Sequence, residues 1–242
     1  MVGAAVVFLA LAQAPAEAAG AGDTSPLPAP QGSGKKYVPR PAAEEKGLPL
    51  VFHEDFSSGE KALPRFEYTD PKAWRIEKDG ERTVLSQFAA SEYVPAVRSP
   101  FNIAWIRDLK VGQFIYEVKL RSTVQDYGHR DLCLFFGGVD ASHFFYVHLG
   151  KEADPHSNSI FKVDGQPRVS VATRRTDGTP WDDSYHLVRI VREESGRVEV
   201  FWDGKSVMLA EDQGFPIGRL GVGSFDDKGN FATLTVWGKK AE

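Results

Sequence analysis

The chain has 242 residues with 29 basic and 33 acidic side chains, a formal net charge of −4. That balance is too mild to argue for nucleic acid or an anionic membrane surface as a partner. Cys133 is the only cysteine, which excludes an internal disulfide and leaves the core to hold itself together.

The chain opens with MVGAAVVFLALAQAPAEA, an apolar run of small residues ending in Ala16-Glu17-Ala18. Residues 1–18 read as a signal peptide that lacks a basic leading region. The run is well short of the roughly 20 residues of a spanning helix, so export to the periplasm or the extracellular space is expected, with no membrane association beyond it. Residues 19–47 are rich in Ala, Pro, Gly and Ser. Such a stretch cannot bury enough apolar surface to offset its own ordering and reads as a flexible tether. Residues 48–238 then form one domain with a sizeable core, expected to act as a monomer.

In that domain the hydrophobic period is two. In GQFIYEVKLRS, residues 112–122, Phe114, Tyr116, Val118 and Leu120 alternate with Gln113, Ile115, Glu117 and Lys119, which marks a strand with one core face. GRVEVFWDG, residues 196–204, repeats the pattern and ends in the hairpin signal Asp203-Gly204. In chain order, further strands are read in LVFHEDF, AWRIEKDG, RTVLSQF, DLCLFFG, HFFYVHLG, SIFKVDG, RVSVATR, HLVRIVR, RLGVGSF and FATLTVWG, with Gly- and Asp-rich turns between them. No window offers a capped helix of ordinary length. About a dozen short strands make the fold all-β, a two-sheet antiparallel β-sandwich.

The order of LVFHEDFSSGE, AWRIEKDG and a closing GRLGVGSFDDKGNFATLTVWG resembles the concanavalin A-like lectin and glucanase jelly roll. Within it the chain is similar to exported bacterial domains grouped with laminin-G-like modules and with 3-keto-disaccharide (glycoside-hydrolase-16-like) hydrolases. The resemblance implies adjacent first and last strands and a concave face that binds carbohydrate. It does not carry over the family-16 retaining mechanism, because the E-x-D-x-x-E strand supplying both carboxylates is missing.

Strand parity selects the candidate site. If Phe145, Val147 and Leu149 point into the core, Tyr146 and His148 share the opposite face, about 7 Å apart between Cα atoms. The two could bind sugar hydroxyls or act as acid and base. Asp131 shares its face with Cys133 and Phe135, and a hairpin through GGVDAS would bring it near His148 to orient the imidazole; pairing with Arg130 is the competing role. Cys133 reads as a buried small hydrophobe. His143 and His148 face opposite sides and cannot share a metal, so a catalytic transition metal is not expected. Asp154 and His156 sit in a loop that could reach the His148 face.

Substrate contacts are expected from His129 and from the segment 173–192, where Arg174 shares parity with Arg168 and points outward. Trp181 in its loop could stack on a pyranose or plug the core, and His186 could belong to either face. Glu54 and Asp55 on the first strand and Asp226 before the last could gather oxygens for a structural calcium, although on composition alone the Asp226–Asn230 stretch is better explained as a good turn. No organic cofactor is expected. Three functions remain open: a carbohydrate-binding module, a carbohydrate-active hydrolase or a lyase using Tyr146 and His148, and a non-catalytic adhesion domain.

Overall fold

The structure, a computed structural model, describes residues 41–241. The expected signal segment and residues 19–40 of the expected tether lie outside the described residues. The strands run in chain order as β1 (Glu44–Glu45), β2 (Leu48–Glu54), β3 (Phe66–Tyr68), β4 (Trp74–Asp79), β5 (Arg82–Gln87), β6 (Asn102–Ile106), β7 (Val111–Ser122), β8 (Cys133–Asp140), β9 (His143–His148), β10 (Ser159–Asp164), β11 (Val169–Ser170), β12 (Ala172–Arg175), β13 (His186–Arg192), β14 (Arg197–Trp202), β15 (Lys205–Glu211), β16 (Arg219–Ser224) and β17 (Gly229–Lys240). Only two short 3-10 turns, Gly59–Arg65 and Pro71–Ala73, interrupt them among the described residues.

These strands form two antiparallel sheets. The ten-stranded sheet has the order β1-β2-β17-β7-β13-β14-β15-β12, with the β4–β5 hairpin attached through β17. The seven-stranded sheet has the order β11-β10-β9-β8-β16-β6-β3. The first and last long strands, β2 and β17, are neighbours, with Glu54 opposite Leu234. β6 is absent from the strands read in the sequence because all five of its residues are buried, so it shows no alternation.

Alternation on β7 drives Phe114, Tyr116, Val118 and Leu120 into the layer between the sheets, where they meet Leu134, Phe136, Phe145 and Val147 from the facing sheet. Phe114 and Phe136 pack edge to face with centroids 6.0 Å apart. Much of the opposite face of the seven-stranded sheet is also covered. Cys133, Phe135, Phe144, Tyr146, Phe161 and Val163 join Ile103 and Trp105 in a second apolar cluster, covered by Val97 and Phe225. Fully apolar strands such as CLFFGG therefore have a partner on both faces, and the side read as facing away from the core is not solvent.

Two boundaries differ from the sequence reading. Residues 42–45, placed in the tether, are docked: Leu50 N–H donates to Ala43 O at 2.8 Å, and the Trp237 indole N–H donates to Ala42 O at 2.8 Å. A short β hairpin needs only backbone groups and one buried indole, so composition does not reveal it. The RVSVATR stretch is not one strand: β11 belongs to the seven-stranded sheet and β12 to the ten-stranded one. The chain crosses between sheets at Val171, and the parity linking Arg168 to Arg174 is lost there.

Candidate functional site

A cleft of about 810 Å³ opens on the outer face of the seven-stranded sheet. Its floor is Asp131 and His148. One wall is the segment 94–101, the other the loop carrying Asp154, His156 and Ser157, and Tyr127, His129, Arg168, Phe225 and Asp226 complete the rim.

The β8–β9 hairpin builds the floor. Its register sets Cys133 directly opposite His148. Asp131, two residues before Cys133, lies on the same face, and its Oδ2 is 2.9 Å from His148 Nε2. The other ring nitrogen, Nδ1, donates to the His156 carbonyl at 3.1 Å. A carbonyl only accepts, so Nδ1 carries a hydrogen and Nε2 is the nitrogen turned to Asp131. Asp131 and His148 are 7% and 5% exposed, enough to touch the cleft while excluding most water.

A second carboxylate holds the first. Asp227 accepts from the Asp131 backbone N–H at 2.8 Å and from the Tyr127 hydroxyl at 2.6 Å. Burial pushes the Asp227 carboxyl above its ordinary range, although both hydrogen bonds oppose this, and the Asp131 and Asp226 charges add to it. Burial, then the bond to Asp227, raises the Tyr127 phenol. On the rim, Arg168 lies over the Phe225 ring at 4.7 Å and reaches the His156 carbonyl at 3.4 Å. Its Nε is buried and has no hydrogen-bond partner.

The remaining residues singled out in the sequence are placed as follows. His129 is exposed on the rim, 4.0 Å from Asp154, and Asp226 is also there. Tyr146 is on the His148 face but fully buried among Phe135, Phe161 and Phe225. Its hydroxyl does not open into the cleft, and burial pushes it well above the ordinary phenol range. The expected Tyr146–His148 acid–base pair on one accessible face is not formed, because Phe225 and the segment 94–101 cover the tyrosine.

Arg174 is on the other sheet, exposed and bound to Ser206 Oγ at 2.6 Å and Glu199; it is not a cleft residue. Trp181 is a core plug, 7% exposed, donating to Leu149 O at 2.7 Å and packing on Trp202. His186 stacks on Trp202 at 4.3 Å and is held between Asp203 and Asp182. Neither lines the cleft.

The three oxygens expected around a calcium are not gathered. Glu54 binds Arg65 and the Phe56 N–H, and Asp55 binds Ser57. Glu54 is opposite Leu234, five residues into β17, whereas Asp226 precedes that strand, a separation of more than about 15 Å along an extended chain.

Sequence reasoning missed Arg168 and Tyr127 as cleft residues, along with Phe225 and the segment 94–101. Only Arg168 left a signal, its outward parity. The others arrive from loops whose paths no periodicity records.

No protein-family model matches the chain, and no curated protein matches it. Solved structures do. The carbohydrate-binding module CBM66 from Bacillus subtilis aligns over 72% of this chain and 95% of its own, at 17% identity and a TM-score of 0.52. A Bacillus subtilis protein of unknown function with a galectin-like fold aligns over 80% and 97%, at 13% identity and a TM-score of 0.53. Domain 4 of AbnA, a GH43 extracellular arabinanase from Geobacillus stearothermophilus solved with arabinotriose, aligns over 80% and 94%, at 11% identity and a TM-score of 0.50. At these identities the likeness is one of fold, and the fold of this chain is the concanavalin A-like jelly roll.

Proposed function

We propose that the domain is a non-catalytic module that binds an oligo- or polysaccharide in the cleft over Asp131 and His148, acting as an exported monomer. The observation that carries this is the composition of the rim. The rings of Tyr127 and Phe225 stand beside the Arg168 guanidinium and the His129 and His156 imidazoles in one open cleft of about 810 Å³. Sugars present apolar C–H faces and paired hydroxyls together, and this mixture of ring faces and planar donors suits both. The volume falls within the roughly 300–1,000 Å³ of ligand pockets. CBM66, named as a carbohydrate-binding module, and the arabinanase domain solved with arabinotriose support the reading at the level of fold. The sealed Tyr146 hydroxyl counts against the lyase reading that paired it with His148, and so favours binding.

The test is affinity electrophoresis of the protein through a panel of neutral and uronate-containing polysaccharides, with mass spectrometry of oligosaccharides after incubation. The expected result is retardation by at least one glycan with unchanged oligosaccharide masses. Arg168→Ala should weaken retention about tenfold and Arg174→Ala leave it unchanged. Equal effects of the two arginines, or retention by no glycan, would overturn the assignment to this cleft; products gaining or losing water would make the protein an enzyme.

A further inference from the structure

Beneath the cleft, three side chains with different donor atoms converge. Asp131, Cys133 and His148 each present one ligating atom, and those atoms all lie within 4.8 Å of one another. All three residues are buried. We infer that they form a binding site for a zinc-class transition-metal ion, with its open coordination position directed into the cleft.

The His148 ring is set for such a role. Its Nδ1 hydrogen is taken by the His156 carbonyl, the arrangement by which a ligating histidine is oriented and its second nitrogen kept for the metal. Nε2 and the Asp131 Oδ2 already stand 2.9 Å apart. In a tetrahedral site with bonds of about 2.0–2.3 Å, donor atoms are separated by about 3.3–3.8 Å. Drawing the cluster onto an ion therefore takes side-chain shifts of about 1 Å. A thiolate, an imidazole and a carboxylate together suit zinc or cobalt rather than calcium or magnesium.

Two independent observations show that the pocket is polar beyond the needs of protein packing. Asp131 Oδ1 is buried with no hydrogen-bond partner, and the fully buried Tyr146 hydroxyl has none either. Buried polar atoms are nearly always partnered, and a cation held between Cys133, Asp131 and His148 supplies a partner for the Asp131 oxygen. Asp131 and His148 line the cleft while Cys133 does not, so the thiol closes the inner side of the site and leaves the outer side to a ligand oxygen. The inference stands whether or not the cleft holds a sugar.

The experiment is titration of the full-length, chelator-treated protein with cobalt(II), followed by absorption. One equivalent should bind with a near-ultraviolet thiolate-to-cobalt charge-transfer band and intense visible bands of tetrahedral cobalt, and zinc should displace it. Cys133→Ser should abolish the charge-transfer band, and Asp131→Asn should weaken binding at least tenfold, with circular dichroism confirming that each variant is folded. If either fails to fold, His148→Gln provides the same comparison. Cobalt bound without the charge-transfer band would reveal only the exposed His129 and His156 and overturn the site, as would persistence of that band in Cys133→Ser or binding of much less than one equivalent.

Discussion

Arg130 has the largest fully buried side chain in the domain, and it sits between two residues of the cleft. Its Nε donates to Ser122 Oγ at 3.1 Å, and one terminal nitrogen donates to the Ser122 carbonyl at 3.0 Å and the Asp182 carbonyl at 2.9 Å. The guanidinium also lies 5.9 Å from the Trp181 ring. Its ionic partners contribute little, since the side chains of Asp126 and Asp183 are 59% and 97% exposed. Arg130 thus joins the end of β7 to the loop before β13 and anchors the segment that delivers His129 and Asp131. Arg130→Met preserves most of the stem's packing and strips the donors. Each buried acceptor left unsatisfied costs about 1–3 kcal/mol. The Ser122 groups are buried, whereas Asp182 is exposed and can turn to water, so the expected loss is about 2–6 kcal/mol. For a domain of this size each kcal/mol moves Tm by about 2–4 °C, which predicts a fall of about 4–24 °C. Thermal unfolding followed by circular dichroism measures it. Arg130→Lys should recover less than half, because an ammonium cannot reproduce the fork. A Tm within about 2 °C of the parent for Arg130→Met would refute the idea that this guanidinium ties the two loops together.

Trp181→Ala should cost about 3–5 kcal/mol in urea unfolding without altering the glycan affinity of the folded protein; weakened binding at unchanged stability would instead make Trp181 a ligand contact. Gly223 lies where β16 approaches β6 so closely that an added Cβ would sit 1.9 Å from the Asn102 carbonyl oxygen. Gly223→Ala should therefore destabilise by about 3 kcal/mol or more, and a variant of parental Tm would contradict that spacing. Asp79 is partly buried, which raises its carboxyl, but hydrogen bonds from Tyr185 and Asn230 and the charges of Arg121 and Arg82 outweigh this and hold it below its ordinary range. A depressed carboxylate stabilises the fold above its unfolded pKa and loses that contribution as pH falls through the folded one. The stability advantage over Asp79→Asn should be full at pH 7 and shrink below about pH 4; an advantage independent of pH would show that the charge plays no part.

The period of two along residues 112–122 and 196–202 was enough to establish an all-β sandwich, because alternation is a local consequence of the pleat and one buried face. The same rule put Asp131 on one face with Cys133 and His148 on one face with Tyr146, and a hairpin through GGVDAS, if formed, would bring Asp131 near His148; the register that sets Cys133 opposite His148 came from the structure. The approach of Asp131 to His148 is legible because every step of it is local. Parity failed at RVSVATR, where the chain changes sheets and Arg168 and Arg174 part company. It also misjudged Tyr146: which face a residue takes is a property of its strand, but what covers that face is decided by segments remote in the chain, here 94–101 and Phe225.

By itself, then, the amino-acid order determined the all-β class, most of the strands and the sandwich, and made the β8–β9 hairpin a natural expectation, since each rests on interactions between neighbours in the chain. Only the tertiary structure decided which polar residues reach a ligand. It buried Trp181, His186 and Tyr146, left Glu54 and Asp55 far from Asp226, and brought Tyr127, His156, Arg168 and Phe225 around His148. The physical reason is that a cleft is the space left between loops, and loop paths follow from long-range packing for which the local pattern carries no period.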